Sequence, residues 1–300
     1  SPNSRAVAKR SAGSFSSDLA TAAATLGGTA RRSLVTGAAS SVTIFMMIGP
    51  RQMAGVCDII HICLSNSPQI EATFRGPDGI LAGARPGLIV IDTSTADPVS
   101  TLTLAAELAA KGGHMVDAPL GGTPVQAEAG QLSAMIGCDE AVVERIRPVM
   151  SCWATSIARV GEVGAGHKMK LLMNFIGLGY AALFSEVVVL GAKVGIPPAT
   201  IREVIAPSRM GNGFFNTFMA YVVDRDRDSH KFSLDNAAKD IRYLNDMAAN
   251  AQMVNIVAGA AKHYYTHAVA CGHGSDYVPH LSDHVARLNG IDLEKIVTGK

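Results

Sequence analysis

Lys170 and Asn174 stand four residues apart in the segment GAGHKMKLLMN (residues 164–174). On a helix that spacing places both on one face, a turn from each other. An ammonium group so placed can stabilise negative charge growing on a carbonyl oxygen and donate a proton to it, or act as a base once neutral. Its neighbours Met169, Leu171, Leu172, Met173 and Phe175 are apolar. The lysine therefore either snorkels to a surface or is held in a cleft. Lys168 falls on another face and reads as a surface charge. A second candidate is the glycine pair Gly121-Gly122 in DAPLGGTP (residues 117–124). Paired glycines let backbone N–H groups approach an anion closely, and they also suit a tight turn after a strand. A third is Lys239-Asp240 in FSLDNAAKD (residues 232–240), either a functional pair or an exposed ion pair on a helix.

The elements that must position these groups follow from hydrophobic patterning. Short apolar runs at residues 56–64, 88–91, 115–116 and 132–136 read as strands, and Asp97-Pro98 opens a helix reaching residue 111. Alternating strands and helices predict an α/β fold with a mostly parallel, doubly wound sheet. Ligands bind such sheets at the carboxyl ends of their strands. The clusters Ser65-Asn66, Ser94-Thr95 and Gly121-Gly122 each follow a strand, so they share one rim. Beyond Gly166 long helical stretches dominate. The reading is a first domain over residues 1–162 and an all-helical domain over 163–300.

Composition narrows the partners. Lys and Arg number 26 against 25 Asp and Glu, which leaves no basic excess to draw nucleic acid or anionic membrane. A small-molecule partner fits better. The five cysteines include no C-x-x-C pair, which suits unpaired, buried thiols in a reducing, cytoplasmic setting. The apolar stretch 171–194 is long enough to span a bilayer, but Asn174, Ser185 and Glu186 interrupt it. It reads as a helix buried in protein, with more than one apolar stripe and hence a homodimer or homotetramer interface. The histidine pairs His263/His267 and His280/His284 have helical i,i+4 spacing but no accompanying H-E-x-x-H, so no metal is assigned. Met210, Met219, Met247 and Met253 read as core filler.

Four ordered segments, IVIDTST (89–95), DAPLGGTP, GAGHKMKLLMN and FSLDNAAKD, resemble the β-hydroxyacid dehydrogenases across about residues 55–287. The resemblance implies a Rossmann-like domain followed by a helical domain, NAD or NADP as cofactor, and a small hydroxyacid or semialdehyde as substrate. Lys170 then matches the catalytic lysine and Asn174 the substrate-orienting asparagine. Gly121 and Gly122 match the substrate carboxylate cradle, with Ser94 and Asp240 also on the substrate side. Leu64, Ser65, Asn66, Thr95 and Lys239 match positions at the dinucleotide.

The sequence departs from that family in two places. No strand followed by G-x-G-x-x-G precedes residue 55, although those glycines normally seat the pyrophosphate at a helix N-terminus. In the first 40 residues Ser, Ala, Gly, Arg and Thr account for 30, and the first ~45 read as a diverged or frame-shifted segment rather than an added leader. An alternative reading therefore stands beside the enzyme: a cofactor-incompetent dimeric relative. Gly122 also occupies the position of an arginine in the related DAPLGRTP pattern, which removes a bidentate anion clamp.

Overall fold

The computed structural model describes residues 49–299, so the atypical N-terminal segment lies outside the described residues. The chain divides into two compact units, the first ending at Lys170 and the second starting at Leu171.

In the first unit the described elements run α1 (Pro50–Val56), β1 (Ile59–Ile62), α2 (Ser67–Phe74), α3 (Ile80–Gly83), β2 (Ile89–Asp92), α4 (Pro98–Ala109), β3 (His114–Asp117), β4 (Leu120–Gly121), α5 (Pro124–Glu128), β5 (Leu132–Gly137), α6 (Glu140–Met150) and β6 (Ala154–Gly161). Helices start where the sequence supplies a cap and a proline. Asn66 accepts from Gln69 N at 3.0 Å and Asp97 from Val99 N at 3.0 Å, each just ahead of a proline in the first turn. Such caps satisfy donors that the first turn would otherwise leave open.

The sheet order is β1-β2-β3-β5-β4, with β6 on β5. β1, β2 and β3 are parallel and in step, so that Ile62, Asp92 and Asp117 end together. β2 is covered on both faces. Leu88 and Val90 pack with Ile70, Phe74, Leu104 and Leu108, while Ile89 and Ile91 pack with Val142, Ile146 and Met150. A strand buried on both sides loses the apolar–polar alternation, which is why it reads as one continuous apolar run.

The far side of the sheet differs from the mostly parallel expectation. β5 runs antiparallel to β3 and β4, and β6 runs parallel to β5. The five-residue α5 turns the chain back where a parallel crossover would need a longer connection. β6 escaped the sequence reading because it is an edge strand whose side chains are mostly exposed, so it carries no apolar pattern.

The described elements of the second unit are helices, with a single isolated bridge between Ser233 and Tyr277. α7 (Ala165–Lys193) begins in the first unit and continues into the second, followed by α8 (Pro198–Ile205), α9 (Gly213–Asp224), α10 (Leu234–Asn250), α11 (Ile256–Ala270), a short 3₁₀ turn (Val278–His280), α12 (Leu281–Leu288) and α13 (Leu293–Thr298). α7 is long and apolar enough to cross a membrane by length and composition. One of its faces packs into the core through Leu171, Leu178, Ala181, Val188 and Val189, against Phe215, Phe218, Ile241 and Tyr265. The polar groups on that face are satisfied: Ser185 Oγ donates to Ala181 O at 2.7 Å, and Tyr265 Oη donates to Leu178 O at 2.8 Å.

The second apolar stripe expected of α7 is exposed in the single chain. Leu172, Ile176, Leu183, Leu190 and Val194 are exposed, and at 100° per residue they fall within about 40° of one another. Two further readings shift. Met210 and Met253 are exposed while Met219 is buried, and Cys152 and Cys271 are exposed while Cys57 and Cys138 are buried.

Candidate functional site

The functional candidates fall into two groups, one in each unit. In the first unit the group stands at the carboxyl ends of β1, β2 and β3. Ser94 Oγ accepts from Leu64 N at 2.8 Å, tying the loop after β1 to the loop after β2. Ser65 N donates to Gln69 Oε1 at 3.1 Å, and Asn66 is the cap of α2. Ser94 is buried and Thr95 half-buried, whereas Ser65 is exposed. The rim is therefore held by its own side chains before any ligand arrives. Gly121 pairs with Ser133 across β4 and β5, and Ser133 Oγ donates to Gly121 O at 3.2 Å. Gly122 is exposed and adopts φ +130°, where an L side chain is strained and an added Cβ would fall 2.8 Å from Leu132. Glycine takes this conformation without strain.

Lys170 lies half-buried in the second turn of α7, and Lys168 is exposed as the spacing implies. What fixes that helix start is Asp117, a residue to which the sequence reading gave no role. Asp117 is fully buried, and its two oxygens accept from Gly164 N at 2.7 Å and His167 N at 2.8 Å. One carboxylate thereby satisfies two open N–H groups of the helix start and places negative charge at its positive end. Gly166 permits the approach, since a Cβ there would sit 2.4 Å from Met135 O and 2.6 Å from Asp117 O. Burial raises the Asp117 carboxyl above its ordinary range, although nearby His167 and the two backbone donors pull it down.

His167 is also fully buried, with Nδ1 2.7 Å from Thr101 Oγ1 and Nε2 3.9 Å from Asp92 Oδ2. Asp92 Oδ1 accepts from Ser94 N at 2.9 Å. Asp92, Asp117 and His167 thus link the carboxyl ends of two strands to the start of α7. The sequence did carry a signal for the two acids. Each ends an apolar run at the carboxyl end of a strand, a position where only a satisfied carboxylate survives burial.

In the second unit Asn174, Lys239 and Asp240 come together. Asn174 Nδ2 donates to Asp240 Oδ2 at 2.6 Å, and Lys239 Nζ lies 3.2 Å from Asp240 Oδ1. Asp240 is 2% exposed and the Lys239 side chain 13%, so they are not the exposed ion pair that spacing alone allowed. Lys239 also stands 5.8 Å from the centre of the Tyr243 ring. The carboxylate fixes the rotamer of Asn174, leaving the amide oxygen as an oriented acceptor.

Comparisons with known proteins place the chain in a family. Residues 15–161 match the family model described as the NAD binding domain of 6-phosphogluconate dehydrogenase. Residues 164–281 match that described as the NAD-binding domain of NADP-dependent 3-hydroxyisobutyrate dehydrogenase. The chain is 40% identical over 159 residues to 2-(hydroxymethyl)glutarate dehydrogenase of Eubacterium barkeri, an alignment covering 53% of this chain and 52% of that protein. The chain thus spans about half the length of that relative. It is 29% identical to the 3-sulfolactaldehyde reductase of Escherichia coli K12, over 75% of this chain and 76% of the relative. A solved 3-hydroxyisobutyrate dehydrogenase from Salmonella typhimurium is similar at 27% identity with a TM-score of 0.68, covering 78% of this chain and 82% of that one.

The two matched family models define a class of chains built from NAD-binding dehydrogenase domains. Within that class, the chain belongs to the β-hydroxyacid dehydrogenase family. The match from residue 15 includes part of the atypical N-terminal segment, and the reading as a cofactor-incompetent relative is not favoured.

The described residues fit an NAD or NADP cofactor. The loops after β1 and β2 are fixed by the Leu64–Ser94 bond, with exposed Ser65 and half-buried Asn66 and Thr95 beside them.

Proposed function

We propose that this chain interconverts a small β-hydroxyacid and its semialdehyde, with Lys170 as the acid and base. Bound NAD or NADP supplies or takes the hydride. In the reducing direction the Lys170 ammonium donates a hydrogen bond to the substrate carbonyl oxygen and then a proton. In the oxidising direction neutral Lys170 Nζ takes the proton from the substrate hydroxyl. Asn174, one turn further along α7, orients the substrate, and Asp240 fixes Asn174. Backbone N–H groups at Gly121 and Gly122 take the substrate carboxylate, and the Ser94 hydroxyl keeps a proton to donate. Leu64, Ser65, Asn66, Thr95 and Lys239 serve the dinucleotide.

The observation that supports this reading best is the Asp117 clamp on the first turn of α7. A proton donor must be held within a fraction of an ångström of its productive position, and a helix anchored by a buried carboxylate provides that. The test is titration of the protein with NADH and NADPH, followed by turnover of small semialdehydes by wild type and Lys170→Ala. Saturable binding of one nucleotide, with turnover lost and nucleotide affinity retained in the variant, is the expected result. Near-normal turnover in Lys170→Ala overturns the assignment. We further propose a homodimer or homotetramer formed through the exposed stripe of α7, and a cytoplasmic location.

A further inference from the structure

The second unit holds a cluster of imidazoles around one carboxylate that the dehydrogenase reading does not use. Asp276 Oδ2 lies 3.0 Å from His273 Nδ1, 3.9 Å from His284 Nε2 and 4.0 Å from His280 Nδ1. Asp276, His273 and His284 each present one ligand atom, all within 4.8 Å of one another. They border a cavity of about 240 Å³. From these positions we propose a transition-metal site of the zinc class, with His273, Asp276 and His284 as ligands.

The chemistry of the donors selects the ion. Two imidazole nitrogens and one carboxylate oxygen suit Zn²⁺ and its neighbours, whereas Mg²⁺ and Ca²⁺ take oxygen ligands. Bonds of ~2.0–2.2 Å in a tetrahedron place ligand atoms about 3.3–3.5 Å apart, so the rings need to move by an ångström or so. Three protein ligands leave a fourth position for water. His273 and Asp276 are 37% and 34% exposed, while His284 is 6% exposed.

The ligands are held on a rigid frame. The loop carrying His273 and Asp276 is bonded to the start of α10 through Leu234 N to Asp276 O at 2.8 Å and Asp235 N to Gly274 O at 2.9 Å. His284 stands on α12. A bound ion would staple this loop to that helix. Helical spacing singles out only the pairs His263/His267 and His280/His284, to which the sequence reading assigns no metal. The fold uses residues three apart on a loop and a third on the next helix, which no single-helix motif reveals.

Arginines border the same cavity, and they define the competing occupant, an anion. Arg225 is already committed, with Nη1 3.0 and 3.1 Å from the two oxygens of Asp283. Arg287 Nη1 is 3.4 Å from His284 Nδ1, but Arg287 is exposed and free to swing into solvent.

The experiment takes the whole protein, stripped of metals by a chelator, and titrates it with Zn²⁺ by calorimetry and with Co²⁺ by visible absorption. One saturable equivalent is expected, with the absorption of low-coordinate Co²⁺. His273→Ala removes a partly exposed ring, so the fold should survive, which circular dichroism checks. That variant and His284→Ala should each weaken binding about tenfold or more. Arg287→Ala should bind as tightly or more tightly. Cys271→Ser, which disables the exposed His267/Cys271 pair, should keep the full equivalent. The proposal falls if the folded protein shows no saturable binding, if His273→Ala binds as wild type does, or if Cys271→Ser abolishes binding. It also falls if inorganic phosphate saturates the cavity while Zn²⁺ does not.

Discussion

Replacing Asp117 with asparagine should loosen the first turn of α7 and, with it, the position of Lys170. The wild-type carboxylate accepts two backbone N–H bonds, at 2.7 and 2.8 Å, one on each oxygen, in a fully buried position. Asparagine keeps the shape but offers a single acceptor, so its amide NH₂ must face one of those N–H groups. A buried unsatisfied donor costs about 1–3 kcal/mol, and the lost charge assistance adds about 1 kcal/mol. A total loss of about 2–4 kcal/mol in the first unit follows. Trp153 is the single tryptophan of the chain and lies in that unit, so its fluorescence during urea unfolding reports on the affected part.

The pH dependence gives a second readout of the same residue. Because burial raises the folded-state carboxyl above its unfolded value, the native state binds more protons between those two values. The stability contributed by Asp117 is therefore fully present below the unfolded value of 3.8 and falls as pH rises through the folded one. Asp117→Asn should remove that slope while lowering the midpoint at every pH, and turnover should fall with nucleotide affinity less affected. A midpoint shift worth less than about 0.5 kcal/mol, or an unchanged slope, would refute the clamp.

Other outcomes follow from single sites. Burial depresses His61 to about 4 beside Trp153, so its contribution is present above an ordinary value of 6.5 and lost as pH falls from there toward 4. His61→Phe should flatten stability between pH 6.5 and 4 in urea titrations, and an unchanged profile would count against a neutral buried ring. Replacing Ile176 and Leu183 together with charged residues should convert an oligomer to monomers in light scattering. Wild-type monomers, or an undisturbed oligomer in that double variant, would exclude the α7 stripe as the interface.

The sequence by itself determined the ordering of the elements and the identity of the chemical groups. β2 was legible because burial on both faces makes it a continuous apolar run, and α4 because Asp97-Pro98 is a helix-start signal. Lys170 and Asn174 were legible because helical spacing fixes their shared face regardless of what surrounds them. Tertiary structure decided the rest. β6 is an edge strand with exposed side chains, and nothing in its composition separates it from a loop. Asp117 and His167 lie 50 residues apart, and only the approach permitted by Gly166 makes one carboxylate the anchor of α7. The burial of Lys239 and Asp240 likewise depends on Asn174, 66 residues from Asp240. Local patterning encodes what a segment becomes, through propensity and period. Which polar groups meet is set by long-range packing, because a buried charge is tolerated only where the fold brings it a partner.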